Sequence, residues 1–226
     1  MARPPILPFL PYLVIAVVHL ASLLVASTAV STSTKPLLMP ALLLGFLWAL
    51  RRARSELALI VSLAILFSWL GDILLGTPGD VGFLLGLGSF FLAHVAYLVV
   101  FLRPLRRRRV TRLAALLTLW WAALIAVLAP HLGTLLVPVA LYGLVLGAMA
   151  SAALACNGWI AGGALLFLVS DTLLALKLFL PGFVFWQIDF VIMLLYVAAQ
   201  GLIAFGAVQS MRAARSYASV VASSGT

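Results

Sequence analysis

Charge is what this sequence has least of: only five of its 226 residues are acidic, and Asp, Glu, Lys and Arg together make up 8% of the chain. A chain so poor in charge cannot present a water-facing surface all round, which excludes a soluble globular domain. Cysteine is nearly absent as well. The single Cys156 excludes an intramolecular disulfide and a cysteine-only metal cluster. Histidine occurs three times, with no HExxH stretch and no pair four residues apart, so the common zinc-hydrolase signature is missing. There is no GxSxG stretch, which removes the nucleophile-elbow serine hydrolases. No metal and no cofactor is expected.

What fills the chain instead is hydrocarbon: 65% of the residues are hydrophobic. A spanning helix needs about 20 such residues, and the sequence breaks into runs over 8–26, 36–50, 56–76, 81–102, 113–129, 132–154, 157–180 and 183–210. The expected fold class is an all-α integral membrane protein with eight transmembrane helices. The whole of 1–226 is a single transmembrane domain, with a disordered tail over 213–226. The first run follows Arg3 and ends in small residues, as a cleaved leader does; it is read here as the first span. A Ser/Thr-rich turn over 27–34 joins it to the second.

The net charge of +9 does not indicate nucleic acid, because the basic residues sit in short loops. Arg3, the cluster Arg51-Arg52-Ala53-Arg54, the run 103–112, and Arg212 with Arg215 all fall on one side of an eight-span chain. The positive-inside rule then makes both termini cytoplasmic, in what is expected to be the bacterial cytoplasmic membrane. The halves also look alike. Leu37-Leu38-Met39-Pro40 lines up with Leu135-Leu136-Val137-Pro138, and Asp72 with Asp171. Repeat one would cover about 1–105 and repeat two about 110–212. Four spans per unit make the repeats parallel, related by an axis along the membrane normal.

Against this background the intramembrane polar residues stand out. A carboxylate at the middle of a spanning helix costs about 2.5–3.5 kcal/mol on insertion scales. This chain carries two in matching contexts, Ser68-Trp69-Leu70-Gly71-Asp72 and Val169-Ser170-Asp171-Thr172. A single buried acid often only locks helices together; a duplicated pair points to a shared site. His94 and Tyr97 lie three apart on one helical face, and Asp189, Tyr196 and Gln200 share another. These faces are expected to line one polar cavity. Lys35 is placed at the mouth of the second span, while His19, His131 and Lys177 read as structural and Asp189 as an interfacial side chain.

Several of these stretches occur in an order that resembles a known family. They are Lys35-Pro36-Leu37, Ser68-Trp69-Leu70-Gly71-Asp72, Phe91-Leu92-Ala93-His94-Val95-Ala96-Tyr97, Phe167-Leu168-Val169-Ser170-Asp171-Thr172-Leu173-Leu174 and Tyr196-Val197-Ala198-Ala199-Gln200. Together they are similar to the YhhN-like lysoplasmalogenases. The resemblance implies an eight-span enzyme that hydrolyses the vinyl ether bond of lysoplasmalogens, with Asp72 and Asp171 as its motif aspartates. The implied partners are the lysophospholipid substrate and membrane lipids, with no nucleic acid and no protein partner.

Vinyl ether hydrolysis begins with protonation of the alkene carbon, then water attacks the oxocarbenium ion. Coupled carboxylates that share a proton suit this chemistry, one as general acid and the other as the stabilising base. His94, Tyr97, Ser170, Tyr196 and Gln200 would support the pair or orient water, and Lys35 would hold the lipid phosphate. A proton-coupled transporter or lipid flippase is the alternative use of the same acids.

Overall fold

In hydrocarbon every backbone N–H and C=O must be satisfied inside the protein, so apolar runs of this length become helices. The computed structural model describes residues 6–51, 55–102, 105–106 and 113–224. Among them it contains eight α-helices and no strands: α1 (Leu10–Leu24), α2 (Thr28–Ala49), α3 (Glu56–Leu75), α4 (Asp80–Leu102), α5 (Leu113–Leu132), α6 (Leu136–Ala153), α7 (Gly158–Phe179) and α8 (Ile188–Ser224). Seven stretches of these residues are long and apolar enough to cross a membrane. The longest of them, Ala115–Ala153, is not straight. Gly133 takes φ +50°, a left-handed turn that a β-carbon would disfavour, and folds α6 back along α5. The Trp121 indole then donates to Ala140 O at 2.9 Å, and Gly147 packs against Trp120.

The helices pack as hairpins, α1 on α2, α3 on α4, α5 on α6 and α7 on α8, and α4 against α6 joins the two halves. Cross-links between polar groups fix the register. Tyr12 Oη donates to Val197 O at 2.6 Å, tying α1 to α8. The Arg212 guanidinium donates to Ala49 O at 2.6 and 3.1 Å, satisfying a carbonyl at the C-terminal end of α2. At the start of α7, Asn157 Oδ1 caps the Ile160 N–H at 3.0 Å while Nδ2 donates to Gly206 O and Ser210 Oγ, both at 2.8 Å.

Several expectations from the sequence are corrected here. The stretch 27–34 is not a turn but the first two turns of α2. Its hydroxyls are absorbed by the helix itself: Ser31 donates to Thr28 O, Ser33 to Ala29 O and Thr34 to Val30 O. The actual turn is shorter and passes through Ala26 at φ +54°. The eighth helix begins at Ile188 rather than 183, because Gln187 sits at φ +52°, which a helix cannot continue through. The tail expected to be disordered over 213–226 continues α8 as helix to Ser224. The segment after Arg212 has no Pro or Gly before Gly225 and is rich in Ala, so nothing in it stops propagation. Most of the arginines at 51–54 and 103–112 lie outside the described residues.

Two prolines run through α2. Pro40 has no N–H, so the carbonyl of Pro36 loses its helical partner. The Trp69 indole of α3 supplies one instead, donating to Pro36 O at 2.8 Å. Beside it, α3 and α4 approach closely at Gly71: a methyl there would lie 2.4 Å from Phe90 Cδ2. Gly71→Ala is therefore expected to displace the Phe90 ring and to lower the thermal stability of the purified protein by about 1–3 kcal/mol. Unchanged melting in detergent would show that this contact is not tight.

Candidate active site

Helix direction brings the polar residues to one end of the bundle. Lys35 lies early in α2, Asp72 near the end of α3, Tyr142 early in α6, Asp171 in the second half of α7 and Tyr196 early in α8. All are therefore nearer the turns at 25–27, 76–79, 133–135 and 180–187 than the opposite end.

Each carboxylate is held by one phenol from another helix. Tyr196 Oη donates to Asp72 Oδ2 at 2.7 Å, joining α8 to α3. Tyr142 Oη donates to Asp171 Oδ2 in a short hydrogen bond that joins α6 to α7. Neither Oδ1 has a hydrogen bond among the described residues, and neither is fully enclosed by the protein. Each acid thus keeps one oxygen fixed and one free. The charges couple as well: Asp72 acts electrostatically on both Asp171 and Tyr142, and Lys35 acts on Asp72.

Behind Tyr196 the network runs inward. The Gln200 amide contacts Tyr196, accepts from Tyr97 Oη at 2.8 Å and donates through Nε2 to Ser68 Oγ at 2.9 Å. Ser68 passes its own proton to Ala64 O at 3.0 Å. Gln200, one turn along α8 from Tyr196, thus ties it to Tyr97 of α4 and Ser68 of α3, and neither Tyr97 nor Gln200 bonds to the acids among the described residues.

His94 is different. Its Nδ1 lies 2.6 Å from Phe90 O, and a carbonyl can only accept, so Nδ1 carries the hydrogen. Nε2 is then a bare lone pair, fully buried and without a partner. The ring stands edge-on to Phe167 and Tyr142, with centroids 4.7 and 5.4 Å away. An unsatisfied buried acceptor is uncommon in a folded protein, and this one adjoins the phenol that holds Asp171.

The remaining expected residues divide. Ser170 does not face the acids; its hydroxyl is spent on Ile192 O at 2.9 Å, pinning α7 to α8. Asp189 leaves the expected stripe and forms an exposed ion pair with Lys177, the only one among the described residues. Lys35 is half-buried and, among the described residues, has neither a hydrogen bond nor an ion pair. Tyr142 was not visible as a site residue in the sequence. The signal was a phenol one turn beyond Pro138, inside the stretch that aligns with the first half. No three His, Cys, Asp or Glu side chains cluster among the described residues, and the site is built from carboxyls, phenols, an amide and an imidazole.

Known proteins resemble this chain over most of its length. Residues 30–207 match the YhhN family. The human lysoplasmalogenase TMEM86B is 35% identical over 173 residues, covering 74% of this chain and 71% of that protein. The lysoplasmalogenases of Mycobacterium bovis and Mycobacterium tuberculosis are each 36% identical over 130 residues, covering 53% of this chain and 49% of theirs. No solved structure matches. The match runs from early α2 to the middle of α8 and contains both carboxylates and both phenols that hold them: the chain belongs to the YhhN family.

Proposed function

We propose that this protein hydrolyses the vinyl ether bond of lysoplasmalogens, releasing a fatty aldehyde and glycerophosphoethanolamine or glycerophosphocholine. The observation that carries the reading is the pair of intramembrane acids at one end of the bundle, each fixed through Oδ2 and free at Oδ1. The lysoplasmalogenase relatives support the substrate class.

In the proposed reaction one carboxyl gives its proton to the alkene carbon remote from the ether oxygen. The electron pair of the double bond forms the new C–H bond, and positive charge spreads over the adjacent carbon and oxygen. The second carboxylate stabilises that cation. Water then bonds to the carbon bearing the ether oxygen. The bare Nε2 of His94 is the acceptor for the proton that water loses. The hemiacetal collapses as its hydroxyl proton passes to the carboxylate that began the reaction and the ether oxygen takes the proton held by His94, which separates aldehyde from glycerol hydroxyl and restores both groups. Tyr142 and Tyr196 hold the acids in register, Tyr97 and Gln200 brace Tyr196, and Lys35 binds the phosphate.

The membrane arrangement belongs to the same reading. The α5–α6 hairpin supports reading the 39-residue apolar stretch as two antiparallel passes, and the whole chain as eight crossings. The recurrence of helix pairing in the two halves, α1/α2 and α3/α4 followed by α5/α6 and α7/α8, supports a parallel four-plus-four duplication within a single domain. With the basic loops in the cytoplasm, both termini lie there and the acids open toward the outer leaflet of the bacterial cytoplasmic membrane. Exposed Trp186 and Val184 at that end fit an interface with lipid.

Asp72→Asn and Asp171→Asn should each lower aldehyde release from a purified lysoplasmalogen by about 10²–10⁴-fold, with circular dichroism and gel-filtration profiles unchanged. Turnover close to that of the parent in both variants would reject the mechanism, and absence of aldehyde from the parent itself would favour a carrier. Tyr142→Phe keeps the ring but removes the donor to Asp171. A hydrogen bond to a charged group is worth about 1.5–3 kcal/mol, roughly 10–100-fold in rate. The same assay should show a loss of that size, and an unaltered rate would remove Tyr142 from the site.

A further inference from the structure

Toward the carboxylate end of the bundle, α1 and α2 hold a second buried histidine that the mechanism does not use. His19 is only 2% exposed, and its Nε2 has no hydrogen-bond partner. Its tautomer follows from its neighbour. Thr34 Oγ1 gives its proton to Val30 O at 2.7 Å, so it accepts from His19 Nδ1 at 2.9 Å. Nε2 is left as a bare acceptor. Lys35, the next residue along α2, acts electrostatically on both His19 and Asp72, and among the described residues its ammonium has no partner. A free acceptor and a free cation thus stand together beside the first of the two acids. The imidazole nitrogen is not explained by packing, since a buried polar atom without a partner costs about 1–3 kcal/mol.

A ligand that satisfies both must carry an anion for Lys35 and an N–H donor for His19. A phosphoethanolamine headgroup has this form: a phosphate two carbons from a primary ammonium with three N–H bonds. Phosphocholine matches the first requirement but not the second, because its trimethylammonium has no hydrogen to give. We propose that His19 is a specificity residue that accepts a hydrogen bond from the ethanolamine ammonium while Lys35 holds the phosphate, so that the protein prefers ethanolamine to choline lysolipids. The inference rests on the lysolipid substrate proposed above and adds the headgroup to it. Because His19 Nε2 is buried, the headgroup displaces the side chains that cover it as it enters.

Binding of saturated ether lysolipids tests this without turnover, because a saturated ether has no alkene carbon to protonate. The purified full chain in detergent is titrated with 1-O-alkyl lysophosphoethanolamine and its choline counterpart of the same chain length. The parent should bind the ethanolamine form about tenfold or more tightly, one charge-assisted hydrogen bond being worth at least that. His19→Phe keeps the ring volume and should bring the ratio near one by weakening the ethanolamine form alone. His19→Gln, which restores an acceptor, should recover part of the preference, and Lys35→Gln should weaken both lipids alike. Equal affinities in the parent would overturn the proposal. So would equal losses for both lipids in His19→Phe, which would make His19 only an acceptor for Lys35. A clear headgroup preference with no aldehyde from the vinyl ether form would sink the hydrolase reading and leave this one standing.

Discussion

A polar group inside a bilayer has to find its partner in the protein, because lipid offers none. That requirement governs the structure more than any apolar contact does, since lipid tails are as apolar as the helix surfaces they touch and reward helix association little. Two carboxylates in such a setting are tolerable only if other helices come to meet them. Tyr196 of α8 meets Asp72 of α3, and Tyr142 of α6 meets Asp171 of α7. These bonds hold the second-half helices in place and also orient the acids, so the pairing that permits the fold is the one that builds the site.

The same rule explains features that look unrelated to chemistry. Pro40 breaks the hydrogen bonding of α2, and Trp69 repairs it from α3. Asn157 serves three groups at the junction of α7 and α8. Gly71 lets the Phe90 ring lie against α3 next to Asp72, and the Phe90 and Phe167 rings in turn stand edge-on to Tyr196. The site is therefore walled by rigid aromatic surface and entered by few polar atoms. Among the described residues, two imidazole nitrogens break the rule, one on His19 and one on His94.

Much of this could be read from the sequence, and the limits have physical causes. Apolar run length gave the helices, because hydrocarbon leaves no other choice. The acids were visible because charge is scarce and both recur in one context. Tyr97, Tyr196 and Gln200 were found by helical spacing, which predicts faces well. Spacing cannot say which neighbour a face meets. It therefore put Asp189 on one stripe with Tyr196 and Gln200, although that residue, read also as interfacial, pairs with Lys177 at the surface, and Ser170 was expected to support acids from which its hydroxyl points away. Tyr142 was missed because a lone tyrosine on a helix with no other polar residue on its face carries no periodic signal. The turn expected over 27–34 failed because serine and threonine can bond back to their own helix, which composition does not reveal.

The central claim is that acids contributed by α3 and α7 face one common site. Its most direct measurement is chemical bridging in the folded protein. In a chain carrying Cys156→Ser, Asp72→Cys and Asp171→Cys, a short bifunctional thiol reagent should link the two introduced cysteines within one molecule, adding the mass of a single linker and leaving no free thiol. Two separately capped cysteines, with no intramolecular bridge in the folded protein, would contradict the account.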